Sequence, residues 1–285
     1  MENVKQIVIV GPTASGKTSL SIDLATKLNG EIISADSRAI YKGLDIGTAK
    51  PSLQERGSIK HYGFDLIYPD KRFSSMQFKE YANEKVATIR NNKKLPLVVG
   101  GSGLYIDSYI FDFRPPKVNN NDVKTLDSWS IEKLKKEITI LGYKMPENSN
   151  NKLHLINAML RKGKEPVRNE SPPEGCLMVG IRPSRQLLLE QISFRAQEMF
   201  ERGILEEAAI AFDRYGYYAP GLRGGIYAEL VEHFKYGVNL KTIKENFIRS
   251  DMQLAKRQIT WFKRNKYIKW FDSENKKKKY FGLIN

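Results

Sequence analysis

The chain has 285 residues, of which 41% are hydrophobic, so it is long enough for one large or two modest domains with a real core. Its formal net charge is +15, from 47 Lys and Arg against 32 Asp and Glu, and it contains one cysteine, Cys176. No apolar run approaches the roughly 18 residues of a membrane span, no apolar signal region opens the chain, and a lone cysteine excludes an intramolecular disulfide. We therefore expect a cytoplasmic protein without a membrane anchor, whose excess positive charge favours a polyanionic partner.

The first predicted elements surround a phosphate-binding loop. The β-branched run Gln6–Val10 predicts a buried strand, and the apolar spacing from Leu20 to Leu28 predicts a helix. Between them, Gly-Pro-Thr-Ala-Ser-Gly-Lys-Thr fits G-x-x-x-x-G-K-[ST], a loop whose amides commonly cradle nucleotides such as ATP. We expect Lys17 to reach the terminal phosphates and the Thr18 hydroxyl to hold Mg²⁺. The predicted diphosphate-binding residues are Gly11, Pro12, Thr13, Ala14, Ser15, Gly16, Lys17 and Thr18.

The next elements alternate between strand and helix. Strands are predicted at Glu31–Ser34 and Leu95–Val99, with a helix over Met76–Asn91 between them and another beginning at Leu104. This alternation indicates an α/β fold, a P-loop NTPase-like parallel sheet flanked by helices. In such a sheet the carboxyl ends of the strands line the ligand crevice, which places Asp36 and the Gly100–Gly103 turn near the phosphate loop.

The pattern breaks after residue 113. Residues 114–173 are polar and rich in Asn and Lys, with helical spacing at Ser130–Leu141 and Leu153–Arg161, and we expect a small helical insertion. The core domain is therefore predicted to comprise residues 1–113 and 174–285. It resumes with a strand at Cys176–Ile181, where Cys176 is expected to be a small buried residue rather than a nucleophile. The predicted elements that follow are helices at Arg185–Glu201, Leu205–Tyr215, Ile226–Lys235 and Leu240–Lys263, and a closing strand at Tyr267–Phe271.

Asp36 is the acidic residue best placed for chemistry. A kinase or NTPase normally carries an acid after a second apolar strand, whereas Leu97–Val99 is followed by Gly-Gly-Ser-Gly. Beside a diphosphate and Mg²⁺, Asp36 could be a metal ligand or a general base, and a turn cap is the purely structural alternative. Ser102 is a second hydroxyl expected at the same crevice.

The positive charge is concentrated near the C-terminus. Residues 241–285 contain 13 basic and 4 acidic residues, a net of +9. Part of this excess is Lys276–Lys279, which could be only a solubilising tail. The helix around Lys256, Arg257, Lys263 and Arg264 also carries Trp261 and Phe262, and we expect the aromatic rings mainly in the core and the cations facing a phosphate backbone.

Five stretches together closely resemble the tRNA dimethylallyltransferase family, also called tRNA isopentenyltransferases or IPP transferases. Two are Gly11–Thr18 and Ile33–Pro51, the second of which contains the specific runs Asp-Ser-Arg and Asp-Ile-Gly-Thr-Ala-Lys-Pro. The others are Val98–Tyr105, the spacing Arg185…Ile192…Arg195…Met199…Gly203-Ile204, and Ala255–Arg264. The resemblance follows the family order over nearly the whole chain and is weak only between about 114 and 173.

The resemblance implies transfer of a dimethylallyl group from its diphosphate to the exocyclic N6 of the adenosine 3′ of the anticodon. Lys17, Thr18 and Mg²⁺ would bind the leaving diphosphate, and Asp36 corresponds to the general base. Ser102 stands where the family usually has Thr. The implied catalytic residues are Asp36, Ser102 and Lys17, and the implied tRNA-binding residues are Asp36, Ser37, Arg38, Ala39, Ser102, Arg223, Lys256 and Arg257. The implied partners are tRNA, whose adenosine must leave its stack, and dimethylallyl diphosphate; we expect a monomer and a tRNA-facing insertion.

Several positions depart from the family pattern and suggest a divergent member. Ala39 replaces a Gln, His154 and Asn157 occupy the places of two arginines, and Ile226–Glu229 alters a Gly-Tyr-[KR]-[EQ] element. These changes spare the phosphate loop, so we expect intact diphosphate binding with altered RNA recognition. Two alternatives stay open: an adenylate isopentenyltransferase acting on free adenine nucleotides, or a weakly active or noncatalytic RNA-binding paralogue. A nucleotide kinase ranks last.

Overall fold

The structure, a computed structural model, describes residues 3–116 and 122–272. The Lys276–Lys279 run singled out from the sequence lies outside these residues. The chain divides into two compact units, one formed by Met1–Phe111 with Ser171–Asn285 and the other by Asp112–Glu170. The smaller unit begins two residues before the insertion predicted at 114–173 and ends three residues before it.

A six-stranded parallel sheet organises the larger unit. Its strands are β1 (Gln6–Val10), β2 (Gly30–Ser34), β3 (His61–Tyr62), β4 (Leu95–Gly100), β5 (Cys176–Arg182) and β6 (Lys269–Asp272). Their spatial order is β3-β2-β4-β1-β5-β6. Val10 pairs with Gly100 and Ser34 with Val99, so the loops that follow β1, β2 and β4 leave the sheet side by side. This register confirms the predicted fold class and brings the three expected site loops together.

Helices cover both faces of this sheet and extend beyond it. They are α1 (Lys17–Lys27), α2 (Leu53–Arg56), α3 (Ser75–Asn91), α4 (Gly103–Ile110), α8 (Arg185–Glu201), α9 (Ile204–Tyr215), α10 (Ile226–Tyr236) and α11 (Leu240–Phe262). Because successive strand residues face opposite sides, Val8 and Val98 pack with Phe78, whereas Ile7 and Leu97 pack with Leu24. A separate apolar cluster joins α8–α11 to the segment after β2. That cluster supports the walls of the site described below.

The smaller unit is helical. It contains α5 (Val123–Asp127), α6 (Ile131–Ile140) and α7 (Lys152–Arg161), which share a small apolar cluster that includes Leu134 and Leu155. Ser130 caps α6, and Asn151 caps α7, each through a side-chain oxygen that accepts a backbone N–H. These caps satisfy amides that have no intrahelical partner.

The predicted strands and long helices correspond to observed elements, but several features differ. The sequence patterns missed β3, α2, α5 and a 3₁₀ helix at Pro220–Leu222, all too short for periodicity to reveal. Phe262 is buried as expected, whereas Trp261 is 37% exposed, so only one of the two aromatic rings belongs to the core.

None of the helices in residues 3–116 and 122–272 has the length and apolar character needed to cross a bilayer.

Candidate active site

The phosphate loop connects β1 to α1. Gly16 occupies the helix N-cap with φ +81°, a left-handed conformation that glycine adopts without strain, and Ala14 also has a positive φ of +54°. Lys17 Nζ donates to the carbonyl oxygen of Pro12 and, at 3.3 Å, to Ser15 Oγ. The lysine is therefore folded back over its own loop.

The ammonium group of Lys17 is in an unfavourable environment for a cation. Its pKa is lowered from 10.5 to about 8, mainly by burial and also by the positive charge of Arg195, while the charge of Asp36 acts in the opposite direction. A negatively charged ligand in the loop would offset both unfavourable contributions, because opposite charges stabilise each other strongly where water is excluded.

Asp36 follows β2 and lies beside this loop. Its Oδ1 accepts the backbone N–H of Arg38 at 2.8 Å and that of Ala39 at 3.4 Å, a local turn that fixes the carboxylate. Within the described parts of the chain, no hydrogen bond reaches Oδ2. The turn-capping role and a chemical role are therefore compatible, one for each oxygen.

Ser102 joins the loop after β4 to the loop after β2. Its Oγ accepts the backbone N–H of Ser37 at 2.9 Å and lies 3.1 Å from Ser37 Oγ. This contact ties Ser102 to the residue that follows Asp36 in the chain. The Ser102 hydroxyl is used in holding Ser37, as acceptor for its N–H and as donor to its Oγ.

A cavity of about 120 Å³ lies between these loops. Six of its lining residues were predicted from the sequence: Thr13, Ala14, Lys17, Thr18, Asp36 and Ala39. Ala39, which is 4% exposed, lies in the cavity wall. The predicted residues Ser37, Arg38 and Ser102 are not among the lining residues. The remaining lining residues, which the site prediction did not include, are Ser21, Ile32, Ser34, Thr48, Ala49, Lys50, Pro51, His61, Phe64, Val99, Gly100 and Arg195.

Arg195, on α8, is a second cation at this cavity. It forms a buried ion pair with Asp251 of α11, whose side chain is only 5% exposed. Burial raises the pKa of the Asp251 carboxyl, and the Arg195 guanidinium acts in the opposite direction. The Nε of Arg195 is buried without a hydrogen-bond partner in the described structure. The Arg195 guanidinium is thus held through Nη2 by Asp251, and its Nε–H is a donor that a ligand in the cavity could use.

Lys50 anchors the segment that forms another wall. Its Nζ donates to Asp45 Oδ1 at 2.7 Å, Asp65 Oδ1 at 2.6 Å and the Tyr41 carbonyl at 2.6 Å. Three acceptors match the three hydrogens of an ammonium group. The side chain of Lys50 is fully used in structure, although the residue also lines the cavity.

Glu207 supports the same segment through its backbone. Its carboxylate accepts three consecutive backbone N–H groups, from Asp45 at 2.7 Å, Ile46 at 2.8 Å and Gly47 at 2.9 Å, and also the hydroxyl of Tyr227. A Cβ at Gly47 would lie 2.5 Å from the Tyr227 ring, so glycine is required for this approach. Tyr227 belongs to the altered Ile226–Glu229 element, and its role here is structural.

Sequence patterns could have found some of these residues. Arg195 and Lys50 both stand in stretches that carry the family resemblance, which is a usable signal. Glu207 occupies an ordinary amphipathic helix, α9, and nothing in its neighbourhood distinguishes it from a solvent-facing acid. Its function as an acceptor for a distant loop follows from tertiary packing alone.

The predicted RNA-contacting cations form two groups, one of Arg38 and Arg223 and the other of Lys256 and Arg257 on α11. The Arg38 guanidinium packs so closely on Gly224 that a Cβ there would lie 2.1 Å from Nη2. Arg223, the neighbouring residue, is exposed and donates from Nε to the Tyr218 carbonyl at 2.6 Å. Lys256 and Arg257 are exposed on α11.

The smaller unit contains its own surface depression of about 360 Å³, whose lining includes His154 and Asn157.

Comparisons with known proteins identify the family. The sequence model described as IPP transferase matches residues 39–265, and the model described as Isopentenyl transferase matches residues 4–72. A tRNA dimethylallyltransferase of Bacillus subtilis is 33% identical, covering 100% of this chain and 98% of the relative. One from Streptococcus mutans is 34% identical, covering 99% and 96%.

Solved structures agree with these relatives. The tRNA isopentenylpyrophosphate transferase of Bacillus halodurans superposes with a TM-score of 0.75 at 31% identity, covering 98% of this chain and 94% of that one. A eukaryotic dimethylallyltransferase acting on tRNA, at 24% identity and a TM-score of 0.81, shares the fold over 99% of this chain and 78% of its own. The two alternatives considered from the sequence are not favoured. The chain belongs to the IPP transferase family, whose curated members are tRNA dimethylallyltransferases, and it is a prenyltransferase.

Proposed function

We propose that this enzyme transfers a dimethylallyl group from dimethylallyl diphosphate to N6 of the adenosine 3′ of the anticodon, adenosine 37 of tRNA. The observation that carries the proposal is the placement of Asp36 and the phosphate loop on one cavity, with no acid after β4. A kinase site needs that second acid, whereas a transferase that expels diphosphate needs a cationic pocket and a base.

The leaving group would occupy the phosphate loop. Lys17 and Arg195 both reach this cavity, and both would stabilise the negative charge that develops on the diphosphate as it departs. The loop amides would bind phosphate oxygens, because first-turn amides of a helix have no intrahelical partner. Two cations rather than one suit a leaving group that leaves with an electron pair.

The donor set of the cavity fits Mg²⁺. Within the described residues, no group of three or more His, Cys, Asp or Glu side chains is gathered as a metal site. Mg²⁺ characteristically binds one or two protein oxygens together with substrate phosphates and waters, which Thr18 and a bound diphosphate would supply. When bound, it would neutralise part of the charge on the leaving diphosphate.

Asp36 would act as the base. The N6 nitrogen attacks the C1 carbon of the dimethylallyl group, the C1–O bond breaks, and diphosphate leaves with the bonding electrons. The proton of the attacking amine passes to Asp36, whose Oδ1 is held by the Arg38 and Ala39 amides. An adenine amine is a weak nucleophile, so correct placement of the two substrates should provide much of the rate.

The acceptor would be held by the cationic surfaces. We assign the tRNA contacts to Ser37, Arg38 and Arg223 near Asp36 and to Lys256 and Arg257 on α11, with Ser102 positioning Ser37. Phosphate contacts of this kind orient the RNA without reading its sequence. The helical unit that contains His154 and Asn157 is assigned a tRNA-facing role. We further propose that the enzyme acts as a monomer, a state that sedimentation analysis would check.

The decisive experiment supplies two acceptors to the same enzyme. The protein is incubated with dimethylallyl diphosphate and Mg²⁺ and with either unmodified tRNA or AMP, and products are identified by mass spectrometry of nucleosides. We expect prenylated adenosine in tRNA and unchanged AMP. Prenylated AMP with unchanged tRNA would replace the proposal with an enzyme of free nucleotides, and no transfer to either would indicate a noncatalytic protein.

A further inference from the structure

Gln258 of α11 connects two of the loops that form the site. Its Oε1 accepts the backbone N–H of Thr13 at 2.8 Å, and its Nε2 donates to the carbonyl oxygen of Gly101 at 3.0 Å. One side-chain amide therefore joins the phosphate loop to the loop after β4. Neither partner is close to Gln258 in sequence.

The fit around this amide is tight and directional. A Cβ at Gly101 would lie 2.4 Å from Gln258 Nε2, so the approach depends on glycine. The amide has one orientation only. Rotating it by half a turn would place its NH₂ group against the Thr13 N–H and its oxygen against the Gly101 carbonyl oxygen. A side chain of similar size without both a donor and an acceptor cannot reproduce this bridge.

Thr13 also lies close to a second residue of the same helix. Its side chain lowers the pKa of the Asp251 carboxyl, which pairs with Arg195. The next residue, Ala14, has φ +54°, a left-handed conformation that is unfavourable for a residue other than glycine. External contacts that fix Thr13 therefore help to hold the loop in a conformation it would not favour alone.

The two faces of α11 have different tasks. Asp251, Gln258 and Trp261 all bind the rest of the larger unit, the last through a 2.8 Å hydrogen bond from Nε1 to Asp107. Lys256 and Arg257 are exposed. The contacts of Gln258 are thus directed to the phosphate loop and not to the exposed cationic face.

We propose that Gln258 is a positioning residue that holds the phosphate loop in its diphosphate-binding conformation. It acts through Thr13 and Gly101 and does not touch the diphosphate itself. The Thr13 N–H donates to Gln258, so the amides that bind phosphate oxygens are those further along the loop. The inference rests on the proposed role of this loop as the donor site.

The test compares Gln258→Met with Gln253→Met, a matched change at an exposed position of the same helix. Binding of inorganic diphosphate in the presence of Mg²⁺ is measured by calorimetry, KM is measured for dimethylallyl diphosphate and for tRNA, and thermal unfolding checks the fold. For Gln258→Met we expect diphosphate affinity to fall, and the donor KM to rise, by about three- to tenfold, the effect of losing one or two neutral hydrogen bonds. The KM for tRNA should stay within about twofold, and Gln253→Met should match the unchanged protein.

The outcomes separate this inference from the proposed function. Unchanged diphosphate affinity in a folded Gln258→Met protein would overturn the positioning role and leave the function standing. A rise confined to the KM for tRNA would also overturn it, because Gln258 would then serve the acceptor. Failure of the unchanged protein to bind diphosphate would overturn both. If Gln258→Met is unstable, Gln258→Ala, which adds no atoms near Gly101, is measured in the same way.

Discussion

Lys50 Nζ lies 2.6 Å from Asp65 Oδ1 while only 2% of the lysine side chain is exposed. A buried ammonium group is tolerated only when all its hydrogens find acceptors, which Asp45 and Tyr41 complete. This one contact therefore joins the segment that ends at Lys50 to the segment after β3, and both contribute residues to the cavity.

Replacing Lys50 with Met should loosen that wall. Both carboxylate partners are about half exposed, so we expect a modest loss of about 1–2 kcal/mol in the free energy of unfolding, measured in urea. The donor KM should rise because Thr48, Ala49 and Pro51 line the cavity. The control is Lys71→Met, which removes an exposed pair with Asp70 and should cost less than about 0.5 kcal/mol. Equal losses from the two substitutions would contradict the anchoring role.

Substituting Asn for Asp36 should separate chemistry from donor binding. The amide keeps an oxygen for the Arg38 N–H but cannot accept the proton of the attacking amine, so the transfer rate should fall by about 10²–10⁴. Diphosphate affinity should not fall, because the substitution removes a negative charge near Lys17. Single-turnover kinetics and calorimetry measure the two quantities. Asp23→Asn, on the exposed face of α1, is the control, and undiminished transfer by the Asp36 variant would remove it from the base role.

Replacing only one member of the buried pair of Arg195 and Asp251 should lower the free energy of unfolding strongly, and replacing both should restore much of it. Asp251→Asn leaves a mostly buried guanidinium without its counter-charge, and we expect a loss of about 3 kcal/mol in unfolding free energy. The double variant Arg195→Met with Asp251→Leu should recover much of that stability, because two apolar side chains replace the pair without an unpaired charge. It should still bind diphosphate poorly, since the second cation is gone. A double variant that is both stable and fully active would show that Arg195 has no part in donor binding.

The salt dependence of tRNA binding tests the cationic face of α11. Each phosphate contact contributes about 0.7–0.9 to the slope of log affinity against log salt, so the double change Lys256→Gln with Arg257→Gln should reduce the slope by about 1.5. Filter binding at several salt concentrations gives the slope. Lys241→Gln, near the start of the same helix, should leave it unchanged. Identical slopes for the double variant and the unchanged protein would place the RNA elsewhere.

Cys176 should behave as an inert thiol. The residue is half-buried rather than fully buried as predicted, and this partial burial raises its pKa above the usual value, so the reactive thiolate is less populated at pH 8 than in a free thiol. Alkylation by iodoacetamide should therefore be slower in the native protein than in guanidinium chloride, and the reaction should accelerate as the pH rises further above 8. Mass spectrometry follows it without ambiguity because the chain has no other cysteine. Native alkylation as fast as that of a free thiol would contradict the burial argument.

The sequence alone predicted the fold class and the meeting of the Gly11–Thr18 loop with Asp36 at one cavity. Strand β1, the Gly11–Thr18 loop and α1 are encoded locally, because periodicity, glycine spacing and helix-forming residues act over a few positions. The adjacency of Asp36 and the Gly100–Gly103 turn followed from one rule, that parallel strands present their carboxyl ends at a common edge.

Tertiary structure decided which side chains complete and support that site. Arg195, Glu207 and Gln258 lie on helices where periodicity reports only which face is buried, and their partners are far away in the chain. The sequence by itself determined the phosphate loop, the acid at the end of β2 and the family. Only the packing of α8, α9 and α11 against the loops decided which polar residues would meet them, because hydrogen bonds between distant segments leave no local pattern to read.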